Sequence, residues 1–213
     1  CLLSKGAWYR YNDDYINYLR DSINEIDVKY LSQFDFSKSS HNQFIETKYN
    51  LEKDKSEYVD KSEDSIKKLL KKKYYSERWY NLLRAENDGF QNFDRVEHRV
   101  GGADIELMDL YKDETMFAVK IGNSSAKLCY VVDQSLTSLI MYKHKKISGM
   151  PNIKNVAIWL ILDRTNRLPI LDNGKPDINA LDMLMLKNRL DQWKKEVRLQ
   201  GYTPIIYLNY VIE

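Results

Sequence analysis

The sequence predicts an α+β (α/β) fold in which a helical front part precedes a core of sheet and helices. Three patterns carry that expectation. Apolar residues recur at helical spacing in two stretches before residue 90, the period drops to two after Asp94, and the run Asn155–Leu162 (NVAIWLIL) reads as a strand buried on both faces. With 213 residues, 43% of them hydrophobic and 12% aromatic, the chain is long enough to bury one substantial core. Sixteen Tyr and four Trp against eight Gly and four Pro leave few flexible connectors, so disorder is not the expected state. The division expected is residues 1–90 for the helical part and 91–213 for the core, as two units or as one continuous domain.

Residues 7–26 place Tyr15, Ile16, Leu19, Ile23 and Ile26 at helical spacing behind Asn12 and Asp13, which suit an N-cap. A short helix is expected over Phe44–Glu52, and a second long one over Ile66–Arg84 with Ile66, Leu69, Leu70 and Tyr74 on one face. Asp94–Val100, Ala103–Tyr111 and Thr115–Ile121 then alternate as three strands, with Lys112, Asp113 and Glu114 turning the last hairpin. Asn123, Ser124 and Ser125 cap a helix that runs to about Tyr142. Asp177 or Asn179 starts a long helix that Gly201 ends, and Pro204–Val211 is the final strand. A three-strand meander, a crossover helix and a fourth strand make the order αβββαβ. That order resembles restriction-endonuclease-like cores, although short α+β chains also reach it by chance.

The net charge of +2, from 33 basic and 31 acidic residues, gives no global attraction to a polyanion, so a nucleic-acid surface has to be a local patch. Cys1 and Cys129 have no metal-ligand spacing and form no disulfide framework, which points to a reducing compartment, the cytoplasm. No apolar run reaches the ~20 residues that span a bilayer, so no membrane partner is expected. The chain starts on Cys1 without an initiator Met, which suggests a longer product and an upstream region that shares the function. His41, His98 and His144 are scattered, and Gly101-Gly102 is too short for a phosphate loop.

Metal-dependent cleavage of a phosphodiester needs hard oxygen ligands for a divalent cation and a lysine that steadies developing charge. Asp104 and Glu106 are two apart on one strand and share a face. A turn centred on Asp113 pairs residue 106 with residue 120, so Glu106 and Lys120 become cross-strand neighbours, while Asp109 needs a bulge to join them. The same spacing fits an exposed cross-strand ion pair, and a register slip of one residue destroys the arrangement. The nuclease signature places an acid two residues before the lysine, and Ala118 stands there. Glu106, Asp109 or Glu46 can supply the missing ligand, or the site is inactive.

Lys67, Lys68, Lys71, Lys72 and Lys73, followed by Tyr74, Tyr75, Arg78, Trp79 and Tyr80, form the densest basic and aromatic segment, as backbone tracking with stacked bases requires. Its apolar spacing fits the solvated face of a packed helix equally well. Lys143 and Lys145 add cations after the crossover helix, where they also suit a helix C-terminus.

The run DIELMDL (104–110), then AVK (118–120), then Ser124, Ser125 and Leu128 with Gln134 and Ser138, resembles the C-terminal region of a sporadically distributed bacterial family of uncharacterised function. The resemblance implies a setting among restriction and phage-defence genes, where members of that family often sit. Trp8-Tyr9 and Glu46 with Tyr49-Asn50 extend the similarity upstream. Ala118 stands where the family has the first His of His-Val-Lys, and Cys129-Tyr130 where it has Ser-His, so roles that need either histidine do not carry over.

Together these residues lead to the expectation of a defence-associated, Mg2+- or Mn2+-dependent nuclease-like domain acting on DNA or RNA. Asp104, Glu106 and Glu46 are its candidate metal ligands, and Glu106, Lys120, Asp109 and Gln134 its candidate catalytic residues. Lys67, Lys68, Lys71, Lys72, Lys73, Arg78, Lys143 and Lys145 are its candidate nucleic-acid contacts. The alternative is a catalytically inactive module that recognises nucleic acid or a protein. A second copy of the chain or the upstream region is the other partner expected.

Overall fold

A computed structural model describes residues 2–4, 6–9, 12–100, 103–145 and 150–213, and for 2–4, 8–9, 97–100, 103–106 and 144–145 the backbone alone. The front part runs β1 (Leu2–Ser4), β2 (Ala7–Tyr9), α1 (Asp13–Asn24), β3 (Asp27–Lys29), β4 (Phe36–Ser37), α2 (Lys38–Glu52), α3 (Glu63–Lys73) and α4 (Ser76–Asp88). Behind it come β5 (Gln91–Asn92), β6 (Glu97–Val100), β7 (Ala103–Glu106), β8 (Leu110–Lys112), β9 (Thr115–Gly122), α5 (Ser125–Lys145), β10 (Asn155–Leu162), α6 (Leu184–Leu199) and β11 (Thr203–Ile212).

Seven strands form one mostly parallel sheet in the order β3-β11-β10-β9-β8-β5, with β4 continuing along β11 beyond β3. Parallel pairing joins β9, β10, β11 and β3, and antiparallel pairing adds β8 and β5. β10 is central, and its Val156–Leu162 are all buried, as its unbroken apolar run predicts. Alternation along the strands sends Met116, Ala118, Val156, Ile158 and Leu160 to the layer of α1, α5 and α6, where Trp193 is fully buried. The other parity, Phe117, Val119, Ala157, Trp159 and Ile161, meets Trp79 and Tyr80 of α4 with Phe34, Phe36 and Phe90. A third, smaller cluster of Ile45, Tyr58, Ile66 and Leu70 joins α2 to α3.

Helix starts follow local chemistry. The side chain of Asn12 accepts from the Asp14 amide at 2.8 Å, that of Ser37 from Ser40 at 3.1 Å, and that of Ser62 from Ser65 at 3.4 Å. Ser124 behaves the same way at α5, accepting from the Lys127 amide at 3.3 Å.

Four expectations are corrected. The front part is not purely helical, because β3 and β4 complete the edge of the main sheet on β11. The single helix expected over Ile66–Arg84 is two, broken at Tyr74 and Tyr75, which leave helical geometry. One straight helix cannot turn Ile66 and Leu70 onto α2 and also Trp79 and Tyr80 onto the sheet. The strand expected over Ala103–Tyr111 is likewise two, because Leu107 and Met108 are buried in succession, which a half-exposed strand cannot do. The final helix begins at Leu184, since Asp177 caps a short 3-10 turn over Ile178–Ala180 instead.

Candidate functional site at the open edge of strand β9

The β8–β9 turn holds two residues, Asp113 and Glu114, both at positive φ (47° and 53°), so Lys112 pairs with Thr115 and Leu110 with Phe117. A two-residue loop moves the register by one from the expected centring on Asp113. It also ends β8 opposite Phe117, and β7 pairs with β6 instead, placing Glu106 opposite Glu97 and Asp104 opposite Arg99. The expected Glu106–Lys120 cross-strand pair is therefore not formed. The side chains of Asp104 and Glu106 lie outside the described residues, as does that of Lys145.

Once β8 has ended, the far half of β9 has amide groups on an open edge that need acceptors. Two carboxylates supply them. Asp109 Oδ2 accepts from the Val119 amide at 2.7 Å, and Glu77 Oε1, from the first turn of α4, accepts from the Ile121 amide at 3.1 Å. Between these amides projects Lys120, whose Nζ lies 3.0 Å from Glu77 Oε1, with both side chains about one-fifth exposed (22%). The ring of Tyr130 on α5, itself exposed, stands 5.8 Å from the same ammonium. Gly122 ends the strand beside a second cation, because any Cβ there would come within 2.9 Å of Lys127 Cδ.

The loop before β6 is anchored on the same Asp109. The Asp109 carbonyl accepts from the amides of Phe93 at 2.9 Å and Asp94 at 3.1 Å, tying the loop to the start of β8. Burial pushes the Asp94 carboxyl above its ordinary pKa, while Arg78 and Arg95 oppose the shift and Glu77 adds to it. Burial, with Asp94 beside it, likewise raises the Tyr75 hydroxyl, and the Arg95 guanidinium sits 5.9 Å from that ring. Lysine, carboxylate and exposed aromatic groups thus meet at the C-terminal end of β9, the end of the strands where α/β sheets bind ligands.

The other candidates fall elsewhere or have structural partners. Glu46 pairs with Lys67 of α3 at 2.6 Å, which ties it to the helical front part and not to β9. The hydrogen bonds that Lys67 donates to Glu46 and then Glu63 raise its pKa. Lys73 is held by Glu52 at 2.9 Å, while Lys68, Lys71 and Lys72 face solvent. Lys71–Lys73 occupy the last turn of α3, where cations suit the helix dipole. Trp79 and Tyr80 are buried and cannot stack on bases, and Arg78 donates to the Lys73 carbonyl at 2.9 Å. Lys143 donates to the Gln200 carbonyl at 3.0 Å, which ties the ends of α5 and α6 together. Gln134 lies one turn beyond Tyr130 on α5.

Glu77, Tyr130, Arg95 and Lys127 are the site residues that the sequence reading missed. Glu77 carries no local signal beyond an acid in a helix first turn, and only the fold brings α4 to β9.

A divalent cation is tested against this donor set. Asp109 Oδ2 and Glu77 Oε1 are each already engaged by a backbone amide, and Glu77 Oε1 by Lys120 as well. Among the described residues no group of three or more His, Cys, Asp and Glu is placed to hold a metal. No helix among the described residues is long and apolar enough to cross a membrane.

No curated protein and no solved structure matches the chain. Residues 1–150 do match the profile of a family of unknown function, DUF6119, and because that span is well over half of the 213 residues, the chain belongs to this family.

Proposed function

We propose that this chain is a nuclease-like domain acting on nucleic acid, with the Lys120–Glu77 pair at the open edge of β9 as its phosphate-handling site. The observation that carries the reading is Lys120 held 3.0 Å from Glu77, beside an Asp109 anchored on the preceding strand-edge amide. Support also comes from topology. α4, the antiparallel strands β5, β8 and β9, the crossover α5 and the parallel β10 resemble the αβββαβ arrangement of restriction-endonuclease-like cores, with the separate β6-β7 pair inserted between β5 and β8. In this reading the Lys120 ammonium binds the scissile phosphate and neutralises charge developing on it, while Glu77 fixes the ammonium's position. Arg95 and Lys127 contact flanking phosphates. The role in phage defence rests on the family resemblance alone.

The described acids do not by themselves make a cation site, so the role of Mg2+ or Mn2+, with Asp104 and Glu106 as further ligands, is what the assay decides. Labelled single-stranded DNA, duplex DNA and RNA are each incubated with the protein in Mg2+, in Mn2+ and in EDTA. Cleavage is expected with a divalent ion, and Lys120→Gln is expected to slow it on the order of a hundredfold or more with the melting temperature nearly unchanged. Undiminished cleavage by Lys120→Gln overturns the assignment.

A second reading, an inactive recognition module, is favoured by Ala118, which is buried where the signature acid would stand. Binding without cleavage of any of the three substrates would establish it.

A further inference from the structure

Helix α5 carries three side chains that its packing does not explain. Leu128, Val131, Val132 and Leu139 bury its apolar side in the core. Lys127, Tyr130 and Gln134 follow one another at spacings of three and four, so they line up in one row along the helix. Among the described residues, Lys127 is exposed and pairs with no acid, and the Gln134 side chain makes no hydrogen bond. Tyr130 is 59% exposed, and its ring stacks on no other aromatic group among the described residues. Asp133, the one acid of α5, is turned toward α6, where Arg189 donates to it at 3.1 Å.

This row borders the Lys120 site. The Tyr130 ring centroid is 5.8 Å from Lys120 Nζ, beyond the roughly 3.5–4.0 Å of van der Waals contact, so the ammonium does not cap the ring. Gly122 lies two residues after Lys120 on the same strand face, and a Cβ there would stand 2.9 Å from Lys127 Cδ. The stem of Lys127 therefore crosses the end of β9. Two lysines and one open ring share that end of the strand.

Their combined chemistry selects the ligand. The ammonium groups attract any anion, from a free phosphate to an acidic peptide. The ring adds a demand for a flat apolar face, and the Gln134 amide, with both donors and an acceptor, for a hydrogen-bonding edge. A nucleotide within a strand offers all three as phosphate, base face and base edge. In a duplex the base faces are stacked on one another, and freeing one costs as much as a single ring returns or more. An unpaired base carries no such cost.

We propose that the Lys120 site takes single-stranded nucleic acid, with one unpaired base stacked on Tyr130 and its flanking phosphates at Lys120 and Lys127. Gln134 meets the edge of that base. This assignment of the substrate rests on the reading of Lys120 as a phosphate-handling group.

Fluorescence anisotropy in EDTA tests it, comparing a labelled oligothymidylate with an abasic strand of the same length and with a duplex. The protein is expected to bind the oligothymidylate about tenfold more tightly than the abasic strand, as one stacked base contributes on that order. Tyr130→Leu should abolish that preference, whereas Tyr130→Phe, which keeps the ring, should retain it. Lys127→Gln should lower the salt slope by about 0.7, the share of one phosphate on a single strand. Tyr130 and Lys127 are exposed, so all three variants should melt like the parent protein. Equal affinity for the base-bearing and abasic strands, or a preference that survives Tyr130→Leu, overturns the proposal and leaves a surface for polyanions in general. Duplex bound as tightly as the oligothymidylate, or no binding of the oligothymidylate, overturns it as well. The phosphate reading fails on a different result, undiminished cleavage by Lys120→Gln, because the base preference is measured without metal or turnover.

Discussion

Glu52→Gln should destabilise this protein by a pH-dependent amount that the structure allows to be worked out. Glu52 ends α2 with its side chain only 8% exposed, and its Oε2 is 2.9 Å from both Lys55 and Lys73. Its Oε1 accepts from the Tyr74 hydroxyl at 3.0 Å. Burial alone would raise the carboxyl, but hydrogen bonds from Lys73, Lys55 and Tyr74 reverse that and hold it at about 2, against 4.5 ordinarily. The difference corresponds to about 3 kcal/mol of stability. Since the folded value lies below the unfolded one, that stability is present in full above about pH 5 and is lost as the pH falls through 4.5 toward 2.

Replacing the charge by an amide is expected to cost about 2–3 kcal/mol at neutral pH. For a chain of 213 residues that lowers the melting temperature by roughly 4–12 °C. Urea unfolding of both proteins at pH 7 and at about pH 3.5 is the assay, and the difference between them should shrink by about 1 kcal/mol or more at the lower pH. A difference that stays constant with pH, or one below about 1 kcal/mol at pH 7, would refute the assignment of this carboxylate as the charged pin between α2 and α3.

Asn209 is fully buried and bridges Trp159 Nε1 at 3.0 Å, the Leu31 carbonyl at 2.9 Å and Asp35 Oδ1 at 2.9 Å. Asn209→Leu strands the Trp159 and Leu31 groups, while Asp35 Oδ1 keeps the Tyr210 amide at 3.0 Å, and should cost about 2–6 kcal/mol by urea unfolding, at about 1–3 for each group left unsatisfied. Neutralising Lys68, Lys71 and Lys72 together should flatten the salt dependence of duplex DNA binding by up to about 2.7 in slope; no change would leave them as the solvated face of α3.

Much of the architecture was legible in the chain because it is local. NVAIWLIL specifies a strand apolar on both faces, and Asn155–Leu162 forms the sheet centre with β9 and β11 in parallel on either side. Asn12, Ser124 and Gly201 mark helix ends by the chemistry of their own backbone and side chains, and Gly201 takes φ +89° past the end of α6. Of the site, Lys120 and Asp109 were legible as residues, but their arrangement was not. Lys120 was expected beside Glu106 on one face of a hairpin and Asp109 to need a bulge to join them, whereas Asp109 bonds the edge of β9 through the Val119 amide.

What the sequence by itself determined is the type of each long element and which of its faces is apolar, since periodicity records that directly. The tertiary structure alone decided where the periodic runs break. Leu107 and Met108 interrupt one strand because both are drawn inward, and Tyr74 and Tyr75 divide a helix so that its two halves face different partners. It also decided who completes the open edge of β9. A backbone amide accepts any well-placed oxygen, so nothing in the neighbourhood of Ile121 specifies Glu77; α4 reaches it because Trp79 and Tyr80 are buried against the sheet.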